Sequence, residues 1–266
     1  EHIKPGDLVA VEPAVSCGHC RYCREGNPNL CMNLLFAGTP PLDGGLREYV
    51  AYRPEFLFPL PAEFNADDGA MLEPLGVALH SWDLGRLRVG ETVAVVGCGP
   101  IGLLLVQLAR LAGATQILAV EPLAYRRERA AEFGAIALSP DEPLARRAQE
   151  LTGGHGVDVA IEVAGTVAAQ EEAALMVKRG GAVVMVGIPP EDQLVLTHHI
   201  IRRKGLTLKI ARRMKHTYPR AIALVQRGMV EVRSLVTHHY PLAESDAAFR
   251  LVENYQSDVV KAVVTP

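Results

Sequence analysis

Apolar and polar positions follow two different patterns along the chain. After residue 90, near-continuous apolar runs alternate with amphipathic segments of helical spacing. The predicted strands are Thr92–Val96, Gln116–Val120, Ala135–Leu138, Val157–Val163, Ala182–Val186 and Leu206–Ile210. The amphipathic segments include Ile101–Ala112, Ala124–Phe133 and Val167–Lys178. Apolar strands that helices cover on both faces are typical of a doubly wound α/β domain with a parallel sheet.

The two ends of the chain have a different character. The first 74 residues are rich in proline and glycine, which predicts irregular β structure with loops. Its short extended pieces are Leu8–Val11, Leu46–Val50 and Phe56–Phe58. Beyond Ile210 the pattern predicts a helix, a strand, a second helix and a closing strand, at His216–Arg227, Leu235–Thr237, Leu242–Asn254 and Val259–Val264.

Composition narrows the class of protein. The 266 residues are 49% hydrophobic and 21% charged, which is globular and long enough for two lobes. The net charge of -3 favours neither nucleic acid nor an anionic membrane as a partner. We find no bilayer-length apolar run and no secretory signal segment, so we expect a cytoplasmic protein. The chain begins with Glu1 rather than Met, so we expect a further segment upstream.

A glycine motif follows the first strong strand. Gly97-Cys98-Gly99-Pro100-Ile101-Gly102 fits Gly-x-Gly-x-x-Gly, in which the glycines permit a tight turn, a close approach to pyrophosphate and close helix packing. The helix that opens at Pro100 would point its amino terminus at the phosphates. The alternative is a glycine turn that only packs a helix on a sheet.

An acidic residue extends this motif. Glu121 lies nineteen residues after Gly102, at the end of the next strand. A carboxylate there can bind both ribose hydroxyls and repels a 2′-phosphate, which favours NAD over NADP. Arg126 follows closely and could stack on adenine or hold a phosphate.

Four of the five cysteines lie within fifteen residues, at Cys17, Cys20, Cys23 and Cys31. Four thiolates suit tetrahedral Zn²⁺ in a closed, structural site. Iron–sulfur ligation is an alternative, because the spacing loosely resembles that of ferredoxins. A zinc ribbon for nucleic acid is another, although the acidic residues nearby disfavour it.

Together, these motifs resemble the zinc-dependent medium-chain alcohol dehydrogenases, in particular the sorbitol or L-iditol (polyol) branch. The resemblance is carried by Lys4–Pro13, Thr39-Pro40-Pro41, Glu73-Pro74-Leu75 and Leu235–His238. It implies a Rossmann doubly wound sheet inserted in a partial GroES-like β-rich catalytic domain. Residues 1–74 and 212–266 would form the catalytic domain with a zinc lobe at 17–31, and residues 75–211 the NAD-binding domain. Members of the family form dimers or tetramers.

The resemblance also implies roles for individual residues. Glu73 would approach a catalytic zinc ion, directly or through water, although Glu73-Pro74 could also simply begin a helix. The other ligands of that zinc would be a cysteine and a His-Glu pair upstream of Glu1. Arg213 would contact polyol hydroxyls, with Met214 in place of the usual tyrosine. Phe36 and Thr39 would line the substrate pocket. The nicotinamide would lie against Ala164, Gly165, Val186, Gly187 and Ile188.

The expected activity is the zinc-dependent transfer of a hydride from a secondary alcohol to NAD, with a polyol such as sorbitol, L-iditol or xylitol as substrate. A threonine-type or other alcohol dehydrogenase is the alternative within this class. From another class, the chain could be a non-catalytic, NAD-binding scaffold stapled by zinc, since the catalytic zinc ligands would lie outside it.

Overall fold

The structure, a computed structural model, describes residues 3–266 and divides into two compact units. Unit 1 combines the residues up to Gly76 with Arg212–Pro266, and unit 2 is Val77–Ala211. None of the helices within the described residues is both long and apolar enough to cross a membrane.

Short antiparallel strand pairs build the first part of unit 1. Its elements are β1 (Val9–Val11), β2 (Ala14–Val15), α1 (Arg21–Arg24), β3 (Leu35–Phe36), β4 (Leu57–Pro59) and the first half of α2 (Ala66–Gly85), which continues into unit 2 from Val77. Strand β1 pairs with β4, and β2 pairs with β3. The strand predicted at Leu46–Val50 is wrong, because these residues form no strand and their apolar side chains are exposed.

Unit 2 contains a six-stranded parallel sheet. Its elements after α2 are β5 (Thr92–Val96), α3 (Pro100–Leu111), β6 (Gln116–Val120), α4 (Ala124–Glu132), β7 (Ile136–Leu138), α5 (Leu144–Leu151), β8 (Val157–Glu162), α6 (Val167–Met176), β9 (Val177–Met185), α7 (His198–Lys204) and β10 (Thr207–Ile210). The strand order is β10-β9-β8-β5-β6-β7, and all neighbours are parallel. This is the doubly wound order, so the predicted fold class is confirmed.

The strand order reverses between β5 and β8. In open α/β sheets, ligands bind outside the carboxyl ends of the strands at such a switch point. The loops that follow β5 and β8 therefore mark the position in unit 2 where a cofactor is expected. The core beneath them is apolar, with Ala94, Leu118 and Ala160 fully buried.

Strand β9 is longer than its sequence indicates. The predicted helix ran to Lys178 and the predicted strand began at Ala182, but the helix ends at Met176 and the strand begins at Val177. Val177 pairs with Val157, and the ladder then shifts register before Ala182 pairs with Val159. Pairing with β8 therefore overrides the local pattern at the start of this strand.

The last part of the chain returns to unit 1 with α8 (Tyr218–Gln226), β11 (Val236–Pro241), α9 (Ser245–Glu253) and β12 (Lys261–Thr265). Strands β11 and β12 pair in parallel. An ion pair between a buried carboxylate and an exposed arginine connects the two parts of the unit, since Asp68 accepts hydrogen bonds from Arg233 Nε and Nη2 at 2.8 and 2.6 Å.

Helix α2 begins earlier than expected. The hypothesis that Glu73-Pro74 starts a helix is wrong, because Pro74 lies inside α2. The true start is a reciprocal cap: Asn65 Oδ1 accepts the Asp68 N–H at 3.1 Å, and Asp68 Oδ2 accepts the Asn65 N–H at 2.8 Å. Such a pair satisfies donors that the first turn of a helix leaves free.

We predict that Asn65→Ala lowers the free energy of unfolding by about 1 kcal/mol, because the side-chain acceptor of the cap is lost. Asn65→Ser keeps a short side-chain acceptor and should retain most of the stability. Denaturant unfolding of both variants checks this. Equal destabilisation by serine and alanine would contradict the role of the cap.

Candidate functional site

The glycine loop after β5 is held against its neighbours by close backbone contacts. A Cβ on Gly97, which has φ +102°, would lie 2.8 Å from the Ala164 nitrogen, and a Cβ on Gly102 would lie 1.9 Å from the Gly97 carbonyl oxygen. At Gly99, by contrast, an added Cβ would meet only Arg126 Nη1, at 3.8 Å. Protein atoms thus leave the space over Gly99 open. This fits the pyrophosphate of a dinucleotide, which needs such an approach.

Glu121 closes the same loop from the end of β6. Its Oε2 accepts the Cys98 N–H at 2.7 Å, and its Oε1 accepts the Leu123 N–H at 3.1 Å. The side chain is almost fully buried. Each carboxylate oxygen can accept a further hydrogen bond, so binding of ribose hydroxyls stays a prediction. Arg126 is also buried, beside the loop, with its guanidinium 5.5 Å from the Tyr125 ring centre.

The loops predicted to hold the nicotinamide contact each other after β8 and β9. A Cβ on Gly165 would lie 3.0 Å from the Ile188 nitrogen, and a Cβ on Gly187 would lie 2.2 Å from the Gly165 nitrogen. The Val186 N–H donates to the Glu162 carbonyl at 2.8 Å. Ile188 points outward and is 86% exposed. The structure therefore brings all five predicted residues into two adjoining loops of unit 2.

Arg213 is the centre of a polar cluster in unit 1. Its Nη2 donates to Glu12 Oε1 at 2.7 Å and lies 3.5 Å from Glu73 Oε1. The guanidinium covers the Phe36 ring at 4.3 Å, and its Nε is buried without a hydrogen-bond partner among the described residues. Three of the residues predicted from the sequence, Glu73, Arg213 and Phe36, thus come together. Thr39 is exposed, and its N–H donates to the Phe36 carbonyl.

Burial sets the electrostatics of this cluster. Desolvation raises the pKa of Glu12, although the Ala14 N–H and the Arg213 guanidinium oppose the rise. Burial likewise raises the pKa of Tyr218, whose hydroxyl donates to the Val11 carbonyl at 2.7 Å. Glu73 faces a small cavity of about 310 Å³ that is lined mainly by apolar residues, including Leu8, Val11 and Leu60.

The four clustered cysteines have the geometry of a metal site. Their sulfur atoms all lie within 4.8 Å of one another, with Cys20–Cys23 at 3.5 Å and Cys20–Cys31 at 4.0 Å. A tetrahedral ion with metal–sulfur bonds of 2.3 Å places its ligands about 3.8 Å apart. One ion therefore fits, whereas a cluster distributes its thiolates over several irons.

The lobe also stabilises thiolates. The Cys20 N–H donates to Cys17 Sγ at 3.4 Å, and the Cys17 N–H donates to Cys31 Sγ at 3.3 Å. Backbone donors lower the pKa of Cys17 to about 6. Burial and neighbouring thiols raise the pKa of Cys23 to about 12. A cation between the four sulfur atoms would favour their thiolate forms. Within residues 3–266, this is the one group of three or more potential ligands so close together, and Glu73 belongs to no such group.

A cavity of about 820 Å³ opens elsewhere in unit 2, at the amino ends of the strands. It is far from the glycine loop in the sheet, because Thr92 and Gln116 are the first residues of β5 and β6. Its cations already have protein partners: Lys178 pairs with Asp158, and Lys204 Nζ donates to three main-chain carbonyls. We assign it no role.

Two largely buried carboxylates were missed as site residues in the sequence. Glu12 lies beside Arg213, and Glu162 lies between the loops that follow β8 and β9, where the Gly165 N–H donates to its Oε1 at 2.6 Å. Glu162 had a detectable signal, because it is a charged residue at the end of an otherwise apolar strand. Glu12 follows an exposed strand position, and nothing local distinguishes it.

We predict that Cys20→Ser loses one zinc per chain and lowers the melting temperature, because the lobe loses a thiolate ligand. Elemental analysis and thermal unfolding check this. Cys98→Ser is the matched control: this thiol is buried and its pKa is raised by burial, so zinc content should not change. Iron in the purified protein, or equal zinc in both variants, would contradict the assignment.

Comparisons with known proteins agree with this geometry. Residues 1–62 match the alcohol dehydrogenase GroES-like domain, and residues 100–227 match the zinc-binding dehydrogenase family. Sorbitol dehydrogenase from Bacillus subtilis is 34% identical over 268 residues, an alignment that covers 100% of this chain and 76% of that protein.

Solved structures give the same result. An oxidoreductase/dehydrogenase of unknown specificity from Escherichia coli has a TM-score of 0.93 and 32% identity, over 100% of this chain and 77% of that one. A zinc-binding dehydrogenase from Sinorhizobium meliloti, bound to NADP, has a TM-score of 0.91 and 34% identity, over 100% and 78%. These relatives are dehydrogenases, which confirms the predicted oxidoreductase and gives the scaffold alternative no support. The chain belongs to the zinc-type medium-chain alcohol dehydrogenase family.

Proposed function

We propose that this protein oxidises a secondary alcohol of a polyol, such as sorbitol, L-iditol or xylitol, with NAD as the hydride acceptor. The observation that carries the proposal is the placement of Arg213 Nη2 3.5 Å from Glu73 Oε1. A fixed donor beside a fixed acceptor can bind two adjacent hydroxyl groups. Sorbitol is also the substrate in the name of the Bacillus subtilis relative.

The residues of unit 1 would bind and orient the alcohol. Arg213 is held by Glu12 and by the face of Phe36, so its guanidinium keeps one orientation. Its Nε is buried and has no hydrogen-bond partner among the described residues. Glu73 Oε1 can accept the hydrogen bond of a neighbouring hydroxyl. Phe36 would contribute an apolar wall, and Thr39 the rim of the pocket.

The residues of unit 2 would hold the cofactor. The open space over Gly99 receives the pyrophosphate at the start of α3, where Pro100 and Ile101 form the first turn. Glu121 binds the adenosine ribose. Ala164, Gly165, Val186, Gly187 and Ile188 border the nicotinamide with main-chain donors and acceptors.

Two groups that the family implies supply the chemistry when bound: zinc lowers the pKa of the alcohol, and nicotinamide accepts its hydride. The balance is one alcohol and one NAD⁺ converted to one ketone, one NADH and one proton. Cys17, Cys20, Cys23 and Cys31 would hold a structural zinc, and Glu73 would lie beside a catalytic one.

Two further features belong to the proposal. The sheet ends at β10, whose Ile210 is 63% exposed, and this supports a homodimer or homotetramer built through unit 2. Four thiols reserved for zinc suit a reducing compartment, which supports the cytoplasm.

Steady-state kinetics with purified protein test the substrate class. We expect kcat/KM for sorbitol, L-iditol or xylitol to exceed that for an alcohol with a single hydroxyl by about tenfold or more, because a charged group that pairs with a second hydroxyl adds about 1.5–3 kcal/mol. L-threonine is included as the alternative. Preference for threonine or for the simple alcohol would overturn the polyol assignment, and zinc and cofactor binding without turnover would overturn the activity.

Arg213→Lys sharpens this test. Lysine keeps the charge but loses the planar fork and the stacking on Phe36. We expect KM for the polyol to rise, with little change for the alcohol with one hydroxyl. An equal change for both alcohols would assign Arg213 to the stability of the unit.

The cofactor preference gives a separate prediction. Glu121→Ala should weaken the binding of NAD by about tenfold or more and the binding of NADP by less. The substitution removes the acceptor for the ribose hydroxyls and the charge that repels a 2′-phosphate. NADP is the competing cofactor, because Arg126 lies beside Gly99 and one relative is bound to NADP. Loss of the hydrogen bond between Glu121 and Cys98 should weaken the binding of NAD and NADP to the same extent. The ratio of the two dissociation constants therefore isolates the effect at the ribose. Glu128→Ala, an exposed glutamate on α4, is the control. An unchanged ratio in Glu121→Ala would contradict the assignment.

A further inference from the structure

Glu162 is a fully buried carboxylate at the carboxyl end of β8. Its Oε1 accepts the Gly165 N–H at 2.6 Å. Its Oε2 is buried and has no hydrogen-bond partner among the described residues. Moving a carboxylate out of water costs free energy unless it is paired, so the burial of this side chain requires a compensating interaction.

No cationic side chain within residues 3–266 supplies that interaction. Glu162 forms no ion pair with any described residue. Burial raises the pKa of Glu162, and the groups that oppose the rise are the backbone amides of Gly165, Ala164 and Gly187. Other carboxylates of the protein differ: Glu12 has Arg213, Asp68 has Arg233, and both oxygens of Glu121 accept backbone N–H groups.

The position of the unpaired oxygen is specific. A Cβ on Gly187 would lie 2.8 Å from Glu162 Oε2, so this oxygen lies directly under the loop that follows β9. The Gly165 contact places the other oxygen under the loop that follows β8. These are the two loops to which the proposed function assigns the nicotinamide. The fit of that cofactor is supported independently by the open space over Gly99.

The oxidised nicotinamide ring carries a positive charge, and the reduced ring is neutral. A buried negative charge acts strongly on a nearby cation, because little water screens it. From this geometry we infer that Glu162 selects the oxidation state of the cofactor: its carboxylate favours bound NAD⁺ over bound NADH. The inference rests on the proposed binding of NAD by unit 2 and adds an electrostatic role for a residue of the sheet.

Direct binding of NAD⁺ and NADH, without alcohol, tests the inference. Glu162→Gln keeps the shape and an acceptor for the Gly165 N–H but removes the charge. We expect the ratio Kd(NAD⁺)/Kd(NADH) to rise roughly tenfold, the effect of one unit charge at several ångströms in a protein interior. Titration calorimetry for NAD⁺ and the fluorescence of bound NADH give the two constants.

Matched variants separate charge from shape. Glu162→Asp keeps the charge but reaches less far, so both affinities should fall while their ratio stays near that of the native protein. Glu162→Met removes charge and polarity together and should reproduce the ratio of Glu162→Gln, which preserves the test if the glutamine variant does not fold.

The outcomes are distinguishable. A folded, neutral variant with an unchanged ratio would overturn the inference and leave Glu162 as a structural link between two loops. Failure of the native protein to bind either cofactor would instead overturn the proposed function. A ratio that rises in the neutral variants and not in Glu162→Asp supports the electrostatic role.

Discussion

Unit 2 depends on backbone-to-backbone contact between the loops that follow β5, β8 and β9. A Cβ at Gly97 or Gly187 would collide with the main chain of Ala164 or Gly165. Because these positions exclude side chains, the carboxyl edge of the sheet is lined by peptide groups at fixed spacing. Peptide donors and acceptors suit a ligand made of phosphates and amides, and they leave only a few side chains, Glu121, Arg126 and Glu162, to supply charge.

Unit 1 follows a different principle, because its polar cluster is assembled from distant parts of the chain. Glu12 and Arg213 are separated by 201 positions and meet at 2.7 Å. A buried pair of this kind contributes more to a unique geometry than to net stability, since desolvation offsets much of the attraction. The pair fixes the orientation of Arg213 over Phe36. This orientation requires that both parts of unit 1 are folded together.

The sequence predicted what local pattern determines. The parallel strands and the glycine loop could be recognised because apolar runs and Gly97-x-Gly99-x-x-Gly102 carry their own periodicity and spacing. The start of α2 was missed, because Pro74 resembles a first-turn proline while the actual cap lies at Asn65 and Asp68. The early start of β9 was missed, because pairing with Val157 determines it. Glu12 could not be recognised, since its partner is far away in sequence, and the roles given to Glu73, Arg213 and Glu121 remain predictions.

The cysteine lobe is local in sequence, because all four potential ligands lie between Cys17 and Cys31. Contacts of such short sequence separation close with little loss of chain entropy, and metal binding supplies folding free energy directly. The lobe therefore has all four potential ligands without any residue from the second part of unit 1. Metal binding by this lobe would thus be independent of the contact between Glu12 and Arg213, which needs both parts of the unit.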